Sequence, residues 1–158
     1  MAMFALSDDE AYPPGLRLNV SLVPCRGSDD PLRKCLAIIF GDLPNSLRQS
    51  FEVKVGDWVG NSEQLTASLW RADGTAGGVY ILRGQSPAAQ ISALADQVQD
   101  LVVETLWSHG EPAVWPACPL HKPVHQLRAQ IEGLRAVWVC PHTQDVVARI
   151  GDLTPANR

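Results

Sequence analysis

The sequence has little that favours a membrane or a nucleic acid as its partner. Its 158 residues contain no apolar run near the ~18 residues that a transmembrane helix needs. Basic residues are not clustered, and 17 acidic residues against 13 basic ones give a formal net charge of −4. Nucleic-acid affinity depends on many cationic contacts to phosphate, so this composition disfavours DNA and RNA. The exception is a local patch that Arg128, Arg135 and Arg149 can form.

The sequence also has no secretion signal of the usual kind and few cysteines. The N-terminus turns acidic after Leu6 and lacks the basic region with which a signal peptide begins. We therefore expect a cytoplasmic protein, in which four cysteines are thiols or metal ligands rather than disulfides. Cys25 and Cys35 have no histidine nearby, so we interpret them as buried thiols.

Familiar catalytic motifs are missing. Residues 74–78 are rich in glycine but lack the lysine and the following helix of a phosphate-binding loop. There is no Gly-x-Ser-x-Gly elbow. His121 and His125 have the spacing of a metalloprotease motif, but Lys122 replaces the general-base glutamate and Pro123 breaks the required helix. The missing motifs therefore favour a non-enzymatic protein over an enzyme.

Alternating and apolar runs predict strands in the first half of the chain. Two-residue alternation predicts strands over 16–23 and 51–55, and residues 64–71 and 78–83 are further predicted strands with an Asp-Gly turn between them. Residues 31–40 fit a buried strand or a helix that Asp30 caps and Pro31 opens, and we favour the helix.

One long helix is the clearest prediction from the sequence. Ser86 is a suitable N-cap, Pro87 suits the first position, and Gly110 with Pro112 ends the helix, which we predict over 87–107. Apolar residues recur at three- and four-residue steps, which predicts a helix face that covers a sheet. After it, 126–131 and 134–139 predict a hairpin, and 146–150 a short final strand.

These elements predict an α+β protein. We expect one antiparallel sheet of four to five strands, covered by the long helix, with a zinc-ribbon-like hairpin at the C-terminus. The predicted division is an α+β body over 1–110 and a zinc-ribbon-like appendage over 111–158 that packs on it.

The C-terminal third contains the one cluster with a defined chemistry. Cys118 and His121 form a C-x2-H pair before the predicted hairpin, and Cys140-Pro141-His142 follows it. A proline directly after cysteine suits a turn that aims N–H groups and a second ligand at a metal. Three of the four histidines and two of the four cysteines lie in this segment.

Residues 115–150 resemble the pair of ligand-bearing turns, or knuckles, of a zinc ribbon. Similar tails, with a Trp-Pro lead-in, a Cys-Pro-x-His turn and a Trp-x-Cys-Pro strand end, occur in small uncharacterised bacterial proteins and imply no activity. The chain departs from the ribbon pattern at Thr143, where a ligand is usual. A structural Zn²⁺ is therefore predicted at Cys118, His121 and Cys140, with His125 as the fourth ligand and His142 as the alternate.

Three tryptophans surround this cluster in sequence, namely Trp107, Trp115 and Trp138. We expect them to pack around the site rather than to form a binding surface.

The first functional hypothesis is a non-enzymatic interaction or accessory module whose partner is another protein. The alternatives are a nucleic-acid-binding zinc ribbon and a thiol-dependent enzyme that uses Cys118 or Cys140.

Overall fold

The computed structural model describes residues 30–154. The predicted strand over 16–23 and Cys25 lie outside these residues. In chain order, the elements are α1 (Pro31–Gly41), α2 (Asn45–Gln49), β1 (Phe51–Val55), β2 (Gln64–Arg71), β3 (Ala76–Leu82), α3 (Pro87–Ser108), β4 (Arg128–Glu132), β5 (Arg135–Val139) and β6 (Val146–Arg149). In this range, no helix is both long enough and apolar enough to cross a membrane.

Within residues 30–154, the strands form two antiparallel sheets of three strands each, in the orders β1-β2-β3 and β4-β5-β6. The prediction of one sheet with four to five strands is therefore wrong. At the outer edge of β3, Gln97 of α3 bonds both main-chain groups of Tyr80 at 2.9 Å. Gln90 donates to the Leu82 carbonyl at 2.8 Å. Helix side chains thus occupy this edge, and the C-terminal strands pair with one another instead.

The ambiguous segment after Asp30 is a helix, as the capping pattern favoured. Asp30 Oδ1 accepts a hydrogen bond from the Leu32 main-chain N–H at 3.0 Å, and Pro31 occupies the first turn. The apolar run that also suggested a strand forms one buried helix face, made of Leu32, Cys35, Leu36, Ile39 and Phe40.

The long helix α3 connects the two sheets. It begins where the sequence predicted, with Ser86 Oγ accepting from the Ala89 N–H at 3.2 Å, and it extends one residue further, to Ser108. It packs against α1, against β3 of the first sheet and against β4 and β5 of the second. One apolar cluster accordingly includes Leu69 of β2, Val98 of α3 and Trp138 of β5.

The segment after β6 packs against the end of α1, and this contact connects the second sheet to that helix. Gly151 has a φ of 101°, and its N–H donates to Asp42 Oδ2 at 2.7 Å. A Cβ at Gly151 would lie 2.8 Å from Ile38 Cγ2 and 3.3 Å from the Ile38 carbonyl oxygen. A side chain at this position would therefore be strained in its backbone and would also overlap α1.

We expect Gly151→Ala to lower the free energy of unfolding by about 3 kcal/mol, since left-handed strain and overpacking add. The matched control is Gly133→Ala in the β4–β5 turn, where φ is also positive, at 59°, and no atom lies within 4 Å of the added Cβ. This control has only the backbone strain, about 1 kcal/mol. Urea unfolding of both variants measures the difference, and equal losses would contradict the close packing of α1 on this segment.

Candidate metal centre

Four of the predicted ligands converge on one point. Cys118, His121, His125 and Cys140 each offer one ligand atom, and these atoms all lie within 4.8 Å of one another. The structure thus places His125 inside the group. His142, the alternate fourth ligand, lies outside it, with an exposed ring that packs edge-on against His125 at 4.3 Å between centroids.

The separations between ligand atoms suit a tetrahedral ion. Cys118 Sγ lies 3.5 Å from His121 Nδ1, and Cys140 Sγ lies 3.4 Å from the same nitrogen. Cys140 Sγ also lies 3.5 Å from His125 Nε2. With bonds of ~2.3 Å to sulfur and ~2.0–2.1 Å to nitrogen, a tetrahedral Zn²⁺ holds sulfur and nitrogen ligands about 3.5 Å apart. These three separations are therefore compatible with one tetrahedral metal ion, and all four donor atoms lie within 4.8 Å of one another.

The first ligand-bearing turn is a closed loop between α3 and β4. Ala117 and Gln126 form an isolated antiparallel bridge. Next to it, the Cys118 N–H donates to the His125 carbonyl and the Leu127 N–H donates to the Pro116 carbonyl, both at 2.8 Å. The loop between these bonds is not helical. Main-chain pairing at its base thus closes the loop that contains Cys118, His121 and His125.

The second turn connects β5 to β6. The Cys140 N–H donates to the Asp145 carbonyl at 2.9 Å, and the Gln144 N–H donates back to the Cys140 carbonyl at 2.8 Å. Gln144 adopts a positive φ of 62°, which allows so tight a reversal. Ligand-bearing turns thus stand on both sides of the β4–β5 hairpin, and the site is loosely zinc-ribbon-like.

The surroundings of Cys140 favour its thiolate. Burial raises the pKa of the Cys140 thiol, but hydrogen bonds from the side chain and main chain of Thr143, the ring of His125 and the main chain of His142 outweigh burial and lower this pKa to about 5. Thiolate is the form that binds metal ions. Thr143, which stands where ribbons usually have a ligand, therefore stabilises the thiolate of Cys140 through hydrogen bonds.

The site is closed on the side of the cysteines. Cys118 is 3% exposed and Cys140 is fully buried, and both belong to the apolar cluster of the protein. His121 and His125 are partly exposed and form the outer side. Solvent thus reaches the site past the imidazoles rather than past the sulfurs.

The three tryptophans near the site do not behave alike. Trp115 and Trp138 are buried and meet edge-on with 5.6 Å between ring centroids, so the packing prediction is confirmed for them. It is wrong for Trp107, which is 75% exposed. Trp107 follows the buried Leu106 in the last turn of α3, and this position lies off the apolar face of the helix.

Two buried polar residues near the site were missed in the sequence. Gln99 lies on the buried, otherwise apolar face of α3. A polar residue at such a position is usually hydrogen-bonded, and this was the one sign in the sequence that Gln99 has a buried polar partner. Asp42 follows α1, and nothing local marks it. Burial raises the pKa of its carboxyl group, against the lowering effect of its hydrogen bonds with Gly151, Trp138 and Leu153.

Comparisons with known proteins found no relative of this chain. No protein-family model, curated protein or solved structure matches the chain.

Proposed function

We propose that this protein binds one structural Zn²⁺ through Cys118, His121, His125 and Cys140, and that it acts as a non-enzymatic interaction or accessory module in the cytoplasm. Its partner is another protein. The observation that carries the proposal is the convergence of two sulfur and two imidazole nitrogen atoms within 4.8 Å of one another. The ion connects the two turns around the β4–β5 hairpin.

The donor set favours zinc among the biological metals. Soft thiolates with imidazoles in a tetrahedral arrangement suit Zn²⁺, whereas Mg²⁺ and Ca²⁺ require oxygen ligands. The four-residue group contains no carboxylate. A Cys₂His₂ set is also one of the common structural zinc sites.

The number and burial of the donors support a structural role for the ion. Catalytic zinc keeps a position open for water or substrate, whereas four protein ligands fill a tetrahedral shell. Both cysteines are buried, so substrate has no direct approach to the sulfurs. This burial also disfavours the thiol-dependent enzyme, despite the low pKa of Cys140. Slow alkylation of the native metal-free protein at neutral pH would agree with a structural role.

The loop that contains three of the ligands also presents apolar side chains. Leu120 is 54% exposed and Val124 is 48% exposed, and both lie between Cys118 and His125. An ion at the site would fix the shape of this loop. An ordered apolar loop suits contact with another protein, which supports the interaction role.

One observation favours the nucleic-acid alternative. Arg128 pairs with Val139, and Arg149 pairs with Val137. Paired and alternate residues share a face, so Arg128, Arg135 and Arg149 lie on one face of the second sheet, where all three are exposed. Salt-dependent binding of DNA or RNA that weakens in Arg128→Ala and Arg135→Ala, but not in Arg83→Ala, would support this alternative. The absence of any mobility shift at low salt would dispose of it.

Titration with Co²⁺ tests the metal site directly, because tetrahedral Co²⁺ absorbs visible light and its thiolate bonds add near-ultraviolet bands. We expect wild-type protein to saturate at one ion per chain. Cys118→Ser and Cys140→Ser should each lose about half of the thiolate absorption, because one of the two sulfur ligands remains, and His121→Ala and His125→Ala should weaken binding by about 10-fold or more.

Matched controls come from the same chain. Cys35→Ser removes another buried cysteine, and His142→Ala removes the exposed histidine beside the site. Both should bind Co²⁺ as wild type does. A spectrum without thiolate bands in the wild type, or equal losses in the controls, would overturn the proposed site.

A further inference from the structure

Gln99 of α3 holds the base of the first ligand-bearing turn. Its Nε2 donates to the Trp115 carbonyl at 2.9 Å and to the Leu127 carbonyl at 2.8 Å. Trp115 stands three residues before Cys118, and Leu127 stands two residues after His125. One buried amide therefore bonds the main chain on both sides of the loop that contains three of the ligands.

Asp42, at the end of α1, holds the strand that leads to the other cysteine. Its Oδ2 accepts from Trp138 Nε1 at 2.7 Å, and Trp138 stands two residues before Cys140. Oδ1 accepts from the Leu153 N–H at 2.8 Å. The main-chain oxygen of Asp42 accepts from Trp115 Nε1 at 3.4 Å. Asp42 therefore contacts both tryptophans that precede the cysteine ligands.

These contacts relate the two turns to each other through the rest of the fold. Asp42 is 1% exposed and Gln99 is 6% exposed, so their hydrogen bonds are not shared with bulk water. A buried polar side chain whose partners are all main-chain or indole groups can adopt few positions. The chain segments that contain Cys118 and Cys140 are therefore held in position by Gln99 of α3 and by Asp42 at the end of α1. Neither helix contributes a ligand.

We infer that Asp42 and Gln99 are positioning residues of the metal centre, which set the separation of its two ligand-bearing turns before the ion binds. The inference rests on the proposed zinc site. Beyond the four ligands, part of the metal affinity comes from the side chains of Gln99 in α3 and of Asp42 at the end of α1, neither of which contacts the ion. Outer residues that orient ligands typically contribute about 10- to 100-fold in metal affinity.

The test compares variants that keep the size of the side chain but lose its bonds. Gln99→Met removes the amide donor, and Asp42→Asn places an amide among three N–H donors that need an acceptor. We expect each to weaken Zn²⁺ binding by about 10-fold, as measured by competition with a chromophoric chelator. The position of the Co²⁺ bands should also shift, because the thiolates no longer meet the ion in the same geometry.

A destabilised control separates positioning from a loss of stability alone. Val79→Ala removes buried volume from β3, in the sheet that carries no ligand. All proteins are compared at a temperature at which circular dichroism shows their metal-free forms to be folded. The control should keep the wild-type Co²⁺ spectrum and a Zn²⁺ affinity within about 3-fold of wild type, because local preorganisation rather than overall stability determines binding to a folded chain.

The possible outcomes separate a failure of the inference from a failure of the proposed zinc site. Wild-type affinity and spectra in both variants would overturn the inference and leave the proposed site standing. A wild-type protein that binds neither Zn²⁺ nor Co²⁺ would overturn the proposed function and the inference with it. Should Asp42→Asn not fold, Gln99→Met alone carries the comparison with Val79→Ala, and weaker binding with shifted bands in that variant would support the inference.

Discussion

Removal of zinc by a chelator is expected to lower the melting temperature by about 8–16 °C. An ion that binds only the folded chain stabilises it by about 4 kcal/mol at a free concentration ~1,000 times its dissociation constant. In a chain of about this length, each kcal/mol shifts the midpoint by roughly 2–4 °C. Differential scanning calorimetry of the zinc-loaded and chelated protein measures the effect.

The whole protein should respond to chelation, because Cys118 and Cys140 belong to the same apolar cluster as Leu69 and Val98. The control is Cys140→Ser, in which the chelator should lower the melting temperature by much less, because one of the two sulfur ligands is gone. Superimposable melts of the loaded and chelated wild-type protein would contradict a structural role for the ion.

Trp138→Ala is expected to lower the free energy of unfolding by about 3–5 kcal/mol, which is the usual cost of emptying a buried aromatic site. Trp138 is fully buried, and its indole N–H is the donor to Asp42 at 2.7 Å. The truncation therefore opens a cavity and also removes one of the hydrogen bonds of a buried carboxylate. Urea unfolding of the metal-free protein measures this cost without a contribution from the ion.

Trp107→Ala is the matched control, with the same change of side chain. Trp107 is 75% exposed, so its removal should change stability by no more than about 0.5 kcal/mol. Similar losses in the two variants would contradict the placement of Trp138 at the centre of the packing around the site.

Local chemistry made the helices and the ligand cluster predictable from the sequence. Asp30 with Pro31 and Ser86 with Pro87 begin α1 and α3 through contacts within the first turn, so a short window of sequence contains the information. The cysteines and histidines are few and grouped, which made their convergence a reasonable expectation. The structure brings four of them together as predicted.

Long-range contacts were not predictable in the same way. Gln90 and Gln97 bond the edge of β3, and the sequence did not indicate this because glutamines on a helix surface are ordinarily solvated. Asp42 bonds groups that lie between 73 and 111 residues further along the chain. Trp107 lies off the apolar face of α3, so the helical period could have indicated its exposure, whereas the burial of Trp138 depends on tertiary packing. Such pairings arise from the tertiary fold.

X-ray absorption at the zinc edge of the purified protein tests the proposed zinc site without any substitution. We expect a four-coordinate ion with two sulfur ligands at about 2.3 Å and two nitrogen ligands at about 2.0–2.1 Å. The sulfur shell should be reduced in Cys118→Ser and unchanged in Cys35→Ser. A shell made of oxygen and nitrogen alone, or a protein purified without zinc that does not take it up when it is offered, would contradict the account.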